Sequence, residues 1–175
     1  MSHAEVFVRM GELAVASGTS EVLTTIGLGS CVGVALLDPE RGSVGLAHVV
    51  FPAATAPERA VATPGKFADT AVPALLAALE KLGSARASLE AVLVGGARMF
   101  NFGRGVELDI GASNVAAARA ALSAAGVPVR ADATGGTVGR SLRVATFGQS
   151  VSVRQSGAEL ELYRARGELG GRHDG

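Results

Sequence analysis

Apolar and β-branched residues come in short runs through the first third of the chain. Residues 5–9 alternate, while 11–16, 21–26 and 32–37 are apolar or β-branched and bounded by Gly, Ser or Asp-Pro. Runs of this length and punctuation predict strands. A further apolar run, 44–51, is stopped by Pro52. Residues 53–64 are rich in Ala, Thr and Pro without periodicity and read as a loop.

The period then changes. Residues 66–82 place Phe67, Ala71, Leu75, Leu79 and Leu82 on one stripe and predict a helix, with Gly83 as its stop and a kink or split at Pro73. A strand over 89–94 ends in Gly95-Gly96. Residues 113–125 predict a second helix, Ala-rich, capped by Ser113 or Asn114 and stopped by Gly126. Strands follow at 127–131, 142–147 and 151–154, with a short edge at 160–163 and a polar tail from 168 to 175. The opening strands are joined by short links, so the pattern predicts an α/β domain with a mixed rather than purely parallel sheet. One domain spans 1–156, and 157–175 is a C-terminal extension.

Composition narrows the function. The 175 residues carry 48% apolar side chains and a formal net charge of zero. A chain of this size needs no disulfide or metal staple to bury a core. Zero net charge gives no bulk attraction for nucleic acid or anionic lipid, and with no Trp and few aromatics, stacking on single-stranded nucleic acid is not expected. The start has no basic region followed by an apolar core, and the apolar stretches are broken well short of a membrane span. The expected protein is soluble and cytoplasmic, without membrane insertion. Its single cysteine forms no internal disulfide and rules out zinc sites built on several cysteines.

That cysteine, Cys31, ends a glycine-rich run, Thr25-Ile26-Gly27-Leu28-Gly29-Ser30-Cys31. A thiolate is a strong nucleophile, and a glycine turn leaves backbone N–H groups able to face a reacting oxygen. A lone cysteine beside a valine is equally a small buried hydrophobe. His48 is the only histidine in the body of the chain, with His3 and His173 near the ends. On strand periodicity Leu46, His48 and Val50 share a face, which brings an imidazole to Cys31 if that face meets the glycine turn. A histidine base needs a partner on its other nitrogen, and Thr25, Asp38 and Asp132 are the candidates. Gly27-x-Gly29 is not a dinucleotide fingerprint, because Val32 stands where a third glycine belongs and a strand follows.

The ordered set Gly27-Leu28-Gly29-Ser30-Cys31-Val32, Asp38-Pro39, His48 with Pro52, Lys66-Phe67-Ala68-Asp69, Gly95-Gly96-Ala97-x-Met99-Phe100, Ile110-Gly111 with Asn114, and Gly135-Gly136-x-x-Gly139-Arg140 resembles the CheD family of chemoreceptor glutamine deamidases. The resemblance runs from about Val8 to Val153. It implies a Cys-His-Thr hydrolase that forms a thioester: Cys31 as nucleophile, His48 as general base and acid, and Thr25 as the residue that orients His48. Backbone at Gly29 and Ser30 would face substrate and oxyanion, with Gly95, Gly96 and Arg140 in support. It implies a β-sandwich-like core flanked by helices, similar to the catalytic fold of the cytotoxic necrotizing factors. The implied partners are receptor cytoplasmic helices and a CheC-like phosphatase, with no cofactor or metal. A glutamyl methylesterase side activity fits the same machinery. The alternative is a weakly catalytic or non-catalytic binding module that regulates a CheC-type phosphatase. A one-cysteine redox sensor ranks last, because the chain has no resolving thiol.

Overall fold

A computed structural model describes residues 2–99 and 109–165. Phe100, the tail from 168 onward and His173 lie outside the described residues. Among the described residues, ten strands form two five-stranded sheets. The first sheet has the order β1 (Ala4–Phe7), β3 (Glu21–Leu28), β8 (Arg140–Ala145), β9 (Ser150–Gln155), β10 (Ala158–Arg164). The second runs β2 (Leu13–Ala16), β5 (Ser43–Val49), β4 (Val32–Asp38), β6 (Glu90–Gly95), β7 (Val129–Thr134). Both are mixed, since β1 is parallel to β3 and β6 to β7, and every other pair is antiparallel.

The layers explain the hydrophobic pattern. Side chains from both sheets, among them Leu23, Leu37, Leu46, Val94, Leu142 and Val151, form one core between them. On its other face the second sheet packs against α2 (Ala68–Lys81) and α3 (Ile110–Ala124) through Val34, Leu36, Ala47, Val49, Leu75, Leu79 and Leu122. Strands β4 and β5 are therefore covered on both sides and buried throughout, which is why they read as unbroken apolar runs. The core of the sandwich thus lies between sheets, and the helices cover one side only.

Four expectations are corrected. The 53–64 loop contains a short helix, α1 (Pro57–Ala62), with Pro57 at its first turn and no buried residue, so hydrophobic periodicity gave no sign of it. Pro73 does not split α2: it sits on the exposed face, where water can satisfy the one carbonyl that loses its helical donor. Helix α3 begins three residues before Ser113 and is capped by Asp109, whose carboxylate accepts from the Ala112 N–H at 2.9 Å. At the other end of the chain, β10 extends the first sheet through Arg164, beyond the edge expected at 160–163. Among the described residues no helix is long and apolar enough to cross a membrane.

Candidate active site

Thr25 and His48 come from different sheets and meet inside the sandwich. On β3, Leu23 points into the inter-sheet core, and so does Thr25 two residues on. On β5, Val44 and Leu46 point into the same core, and His48 continues their face. The result is a Thr25 Oγ1 to His48 Nδ1 distance of 2.7 Å between two buried side chains.

A bulge directly after Thr25 preserves this arrangement. Thr25 pairs with Leu142 and Leu28 with Arg140, so the register slips by one residue between them. Gly27 takes up the extra residue at φ 74, a left-handed conformation that suits glycine. Ile26 turns outward, and Leu28 returns to the core as a fully buried residue. Without the slip, Thr25 and Leu28 would point to opposite faces.

Hydrogen-bond accounting fixes the imidazole. The Thr25 hydroxyl also lies 2.6 Å from the Val8 carbonyl oxygen, which can only accept. Its single proton therefore goes to Val8, and Thr25 Oγ1 must accept from His48 Nδ1–H. That leaves Nε2 as the ring's lone-pair nitrogen, and it has no partner among the described residues. The backbone of His48 is held as well: its N–H donates to the Glu12 carbonyl at 3.0 Å, and its carbonyl accepts from Gly11 N–H at 2.9 Å.

Cys31 lies just ahead of β4. Gly33 pairs with His48, so Cys31 is diagonal to the imidazole on the same inward face, where it joins the inter-sheet core. Its loop is pinned through carbonyls. The Gly29 carbonyl accepts from Ala97 N–H, and the Cys31 carbonyl from Gly96 N–H, each at 2.8 Å. The Ser30 carbonyl accepts from Asn114 Nδ2 at 2.9 Å. Gly29 directs its own N–H at the Gly27 carbonyl, 3.1 Å away. The Ser30 and Cys31 N–H groups have no acceptor among the described residues. Met99 packs directly over Gly29, where an added Cβ would sit 2.9 Å from its Cγ.

The remaining sequence candidates sort by position. Gly95 and Gly96 both take positive φ at the end of β6, and a Cβ on Gly95 would lie 2.3 Å from the Cys31 carbonyl oxygen. Arg140 stands one step behind, donating to the Gly135 carbonyl at 2.8 Å and the Gly95 carbonyl at 3.5 Å. The rival orienters are engaged elsewhere. Asp38 caps the turn after β4, accepting from the Glu40 and Arg41 N–H groups, and Asp132 pairs with Arg119 and Thr134. Asn114 was read as a helix cap, yet it lies inside α3 and bridges the Ser30 and Val50 carbonyls. Its signal was present in the sequence: Asn114, Ala118 and Leu122 recur at helical spacing, so a polar residue occupies the buried stripe.

The three side chains do not open onto a shallow surface: Cys31 is 8% exposed, and Thr25 and His48 are 1% exposed each. Nor is a thiolate–imidazolium pair favoured at rest. Burial pushes the Cys31 thiol above its ordinary range and the His48 imidazole below its own, because desolvation penalises both charged forms. Both shifts favour the neutral thiol and the neutral imidazole over the charged pair.

Comparison with known proteins finds relatives over most of the chain. The family model described as "CheD chemotactic sensory transduction" matches residues 50–155. The chain is 41% identical to the "Probable chemoreceptor glutamine deamidase CheD" of Clostridium kluyveri over 162 residues, covering 92% of this chain and 99% of that protein. It is 46% identical over 138 residues to the protein of the same name from Symbiobacterium thermophilum, covering 78% and 84% of the two chains. The Clostridium novyi protein of that name is 37% identical over 158 residues, covering 90% and 96%. The family-model match starts past Thr25, Cys31 and His48, whereas the Clostridium kluyveri alignment is long enough to take in all three. On relatives this similar over nearly their whole length, the chain belongs to the CheD family.

Proposed function

We propose that this protein is a chemoreceptor glutamine deamidase that acts in the cytoplasm during chemotactic adaptation, with Cys31 as nucleophile, His48 as general base and acid, and Thr25 as the residue that orients His48. The observation that carries this reading is the chain of hydrogen bonds from His48 Nδ1–H to Thr25 and from Thr25 to the Val8 carbonyl. It leaves the Nε2 lone pair available on the face that Cys31 shares. The names of the relatives supply the substrate class, a glutamine side chain on a chemoreceptor.

The steps follow from these groups. His48 Nε2 takes the Cys31 proton as the sulfur attacks the glutamine amide carbon, because neither group is charged beforehand. The C–S bond forms, the carbonyl π pair moves to oxygen, and the Ser30 and Cys31 N–H groups donate to that oxyanion. Each such donor contributes about 3 kcal/mol to the transition state. His48 returns the proton to nitrogen, the C–N bond breaks, and ammonia leaves a thioester on Cys31. Water, deprotonated by His48, then displaces the thiol and yields glutamate. A glutamyl methyl ester would pass through the same steps with methanol leaving. Gly95, Gly96 and Arg140 hold the loop that carries the nucleophile.

Receptor cytoplasmic helices are the proposed substrate, and a CheC-like phosphatase is the further partner of this reading. The kinship in fold with cytotoxic necrotizing factors also belongs to it, supported by a two-sheet core with helices on one side. The test is incubation with a receptor cytoplasmic fragment and mass analysis of its peptides. Conversion of specific glutamines to glutamate by the wild type, and none by Cys31→Ala, is the expected result. Conversion that survives Cys31→Ala refutes the mechanism. A wild type that binds a CheC-like phosphatase but modifies no receptor favours the binding module.

A further inference from the structure

Asn114 is fully buried in the middle of an otherwise small and apolar helix face. Its amide nitrogen donates twice, to the Ser30 carbonyl at 2.9 Å and to the Val50 carbonyl at 3.0 Å. Ser30 is the residue before Cys31, and Val50 follows the end of the strand that carries His48. The β4–β5 ladder stops at the Val32–Val49 pair. Just past that point the two chains would separate, and the Asn114 amide spans them in place of the next rung. Residues 84 and 64 positions away along the chain are thereby tied to one side chain.

The cost of this arrangement indicates its purpose. Both neighbours are carbonyl oxygens, so the amide must present its NH2 group to them, and Oδ1 is left buried without a partner among the described residues. An unpaired buried acceptor is destabilising, but an apolar residue on the stripe shared with Ala118 and Leu122 would take the donor away from both carbonyls. The polar group at this position therefore serves the two carbonyls, one on each of the segments that carry Cys31 and His48.

We propose that Asn114 is a positioning residue that sets the distance between the Cys31 loop and the His48 strand, so that Sγ and Nε2 are aligned when substrate binds. The proposal rests on the assignment of Cys31 and His48 made above. It is distinct from the oxyanion groups, which face the reacting atoms, because Asn114 acts only through the backbone of Ser30 and Val50.

The test compares Asn114→Leu, which keeps the branched shape and removes both donors, with Leu122→Ala, which weakens the same helix away from the site. Asn114→Leu is expected to lower kcat on a receptor fragment by about 10- to 100-fold with KM held within about twofold, the signature of misalignment. Leu122→Ala should lose thermal stability yet keep kcat. If Asn114→Leu does not fold, Asn114→Ala, which lets water reach the two carbonyls, is read in the same way. A kcat that falls no further than in Leu122→Ala at equal loss of stability overturns the proposal. Should the wild type deamidate no receptor, the deamidase reading fails by itself. The pH profile of Cys31 alkylation by iodoacetamide then decides the role of Asn114. A profile altered in Asn114→Ala but not in Leu122→Ala supports it, and identical profiles refute it.

Discussion

Thr25 Oγ1 and His48 Nδ1 lie 2.7 Å apart across the interface between the two sheets, and this contact fixes which imidazole nitrogen faces the cysteine. Thr25 is committed as a donor to Val8, so it serves His48 only as an acceptor. A backbone carbonyl on β1's exit thus decides a tautomer on β5.

Removing the hydroxyl should free the ring to flip or to change tautomer. Thr25→Val is expected to lower kcat by about 10- to 100-fold, as loss of an orienting partner does at other histidine sites. Thr25→Ser keeps the hydroxyl and should stay within a few-fold of wild type. Steady-state kinetics on a receptor fragment check this, and equal rates for Thr25→Val and wild type would remove Thr25 from the mechanism.

Stability should peak between the ordinary values of the two buried groups. The folded imidazole titrates below its ordinary 6.5, so the unfolded chain binds more protons as the pH falls, and stability is lost from there down through the folded value. The folded thiol titrates above its ordinary 9.0, so the unfolded chain loses its proton first, and stability is lost as pH rises from there through the folded value. Chemical denaturation across pH should show both limbs, with the acid limb shallower in His48→Gln and the alkaline limb shallower in Cys31→Ala. Unchanged limbs in both variants would show that these groups are not linked to folding.

The same burial predicts a slow thiol at rest. Iodoacetamide should alkylate Cys31 more slowly at neutral pH than it alkylates a free cysteine, and the rate should climb through the alkaline range. A fast plateau at neutral pH would instead report a thiolate–imidazolium pair formed before substrate binds.

Gly95→Ala should damage stability and catalysis together. Its φ of 112 disfavours any side chain, and its Cβ would collide with the Cys31 carbonyl at 2.3 Å. Strain of this kind costs about 1–3 kcal/mol before the clash is counted. The melting temperature and kcat should both fall. A variant with wild-type kcat would mean that the nucleophile loop tolerates displacement.

Arg140→Ala should act more mildly. It removes charged hydrogen bonds to the Gly135 and Gly95 carbonyls, each contributing about 1.5–3 kcal/mol when well formed, and the longer one less. A denaturation midpoint reduced without loss of kcat would place Arg140 in support of the turn alone. A kcat loss beyond that of Gly95→Ala would contradict this layering.

Much of the architecture was legible because burial writes itself into the sequence. Strands β4 and β5 read as unbroken apolar runs since both faces are covered, and α2 shows its stripe since one face meets the second sheet. The helix α1 leaves no hydrophobic period in the sequence because it buries nothing. Asn114 was misread as a cap because Asp109, the true cap, lies four residues ahead of the expected start at Ser113. The site was half legible. A glycine run before a lone cysteine and a histidine on an inward strand face were visible, but residue spacing could not choose among Thr25, Asp38 and Asp132, and the resemblance made that choice.

The sequence by itself determined local matters: which segments are strands, where glycine permits a turn before Cys31, and that Leu46 and His48 share one face of their strand. These depend on short-range sterics and on a period of two, which neighbouring residues carry. The tertiary structure alone decided that Thr25 meets His48, that Val8 takes the threonine proton, and that Asn114 joins Ser30 to Val50. It also decided that burial pushes the thiol up and the imidazole down, because desolvation is set by every layer packed around them and not by their neighbours in the chain.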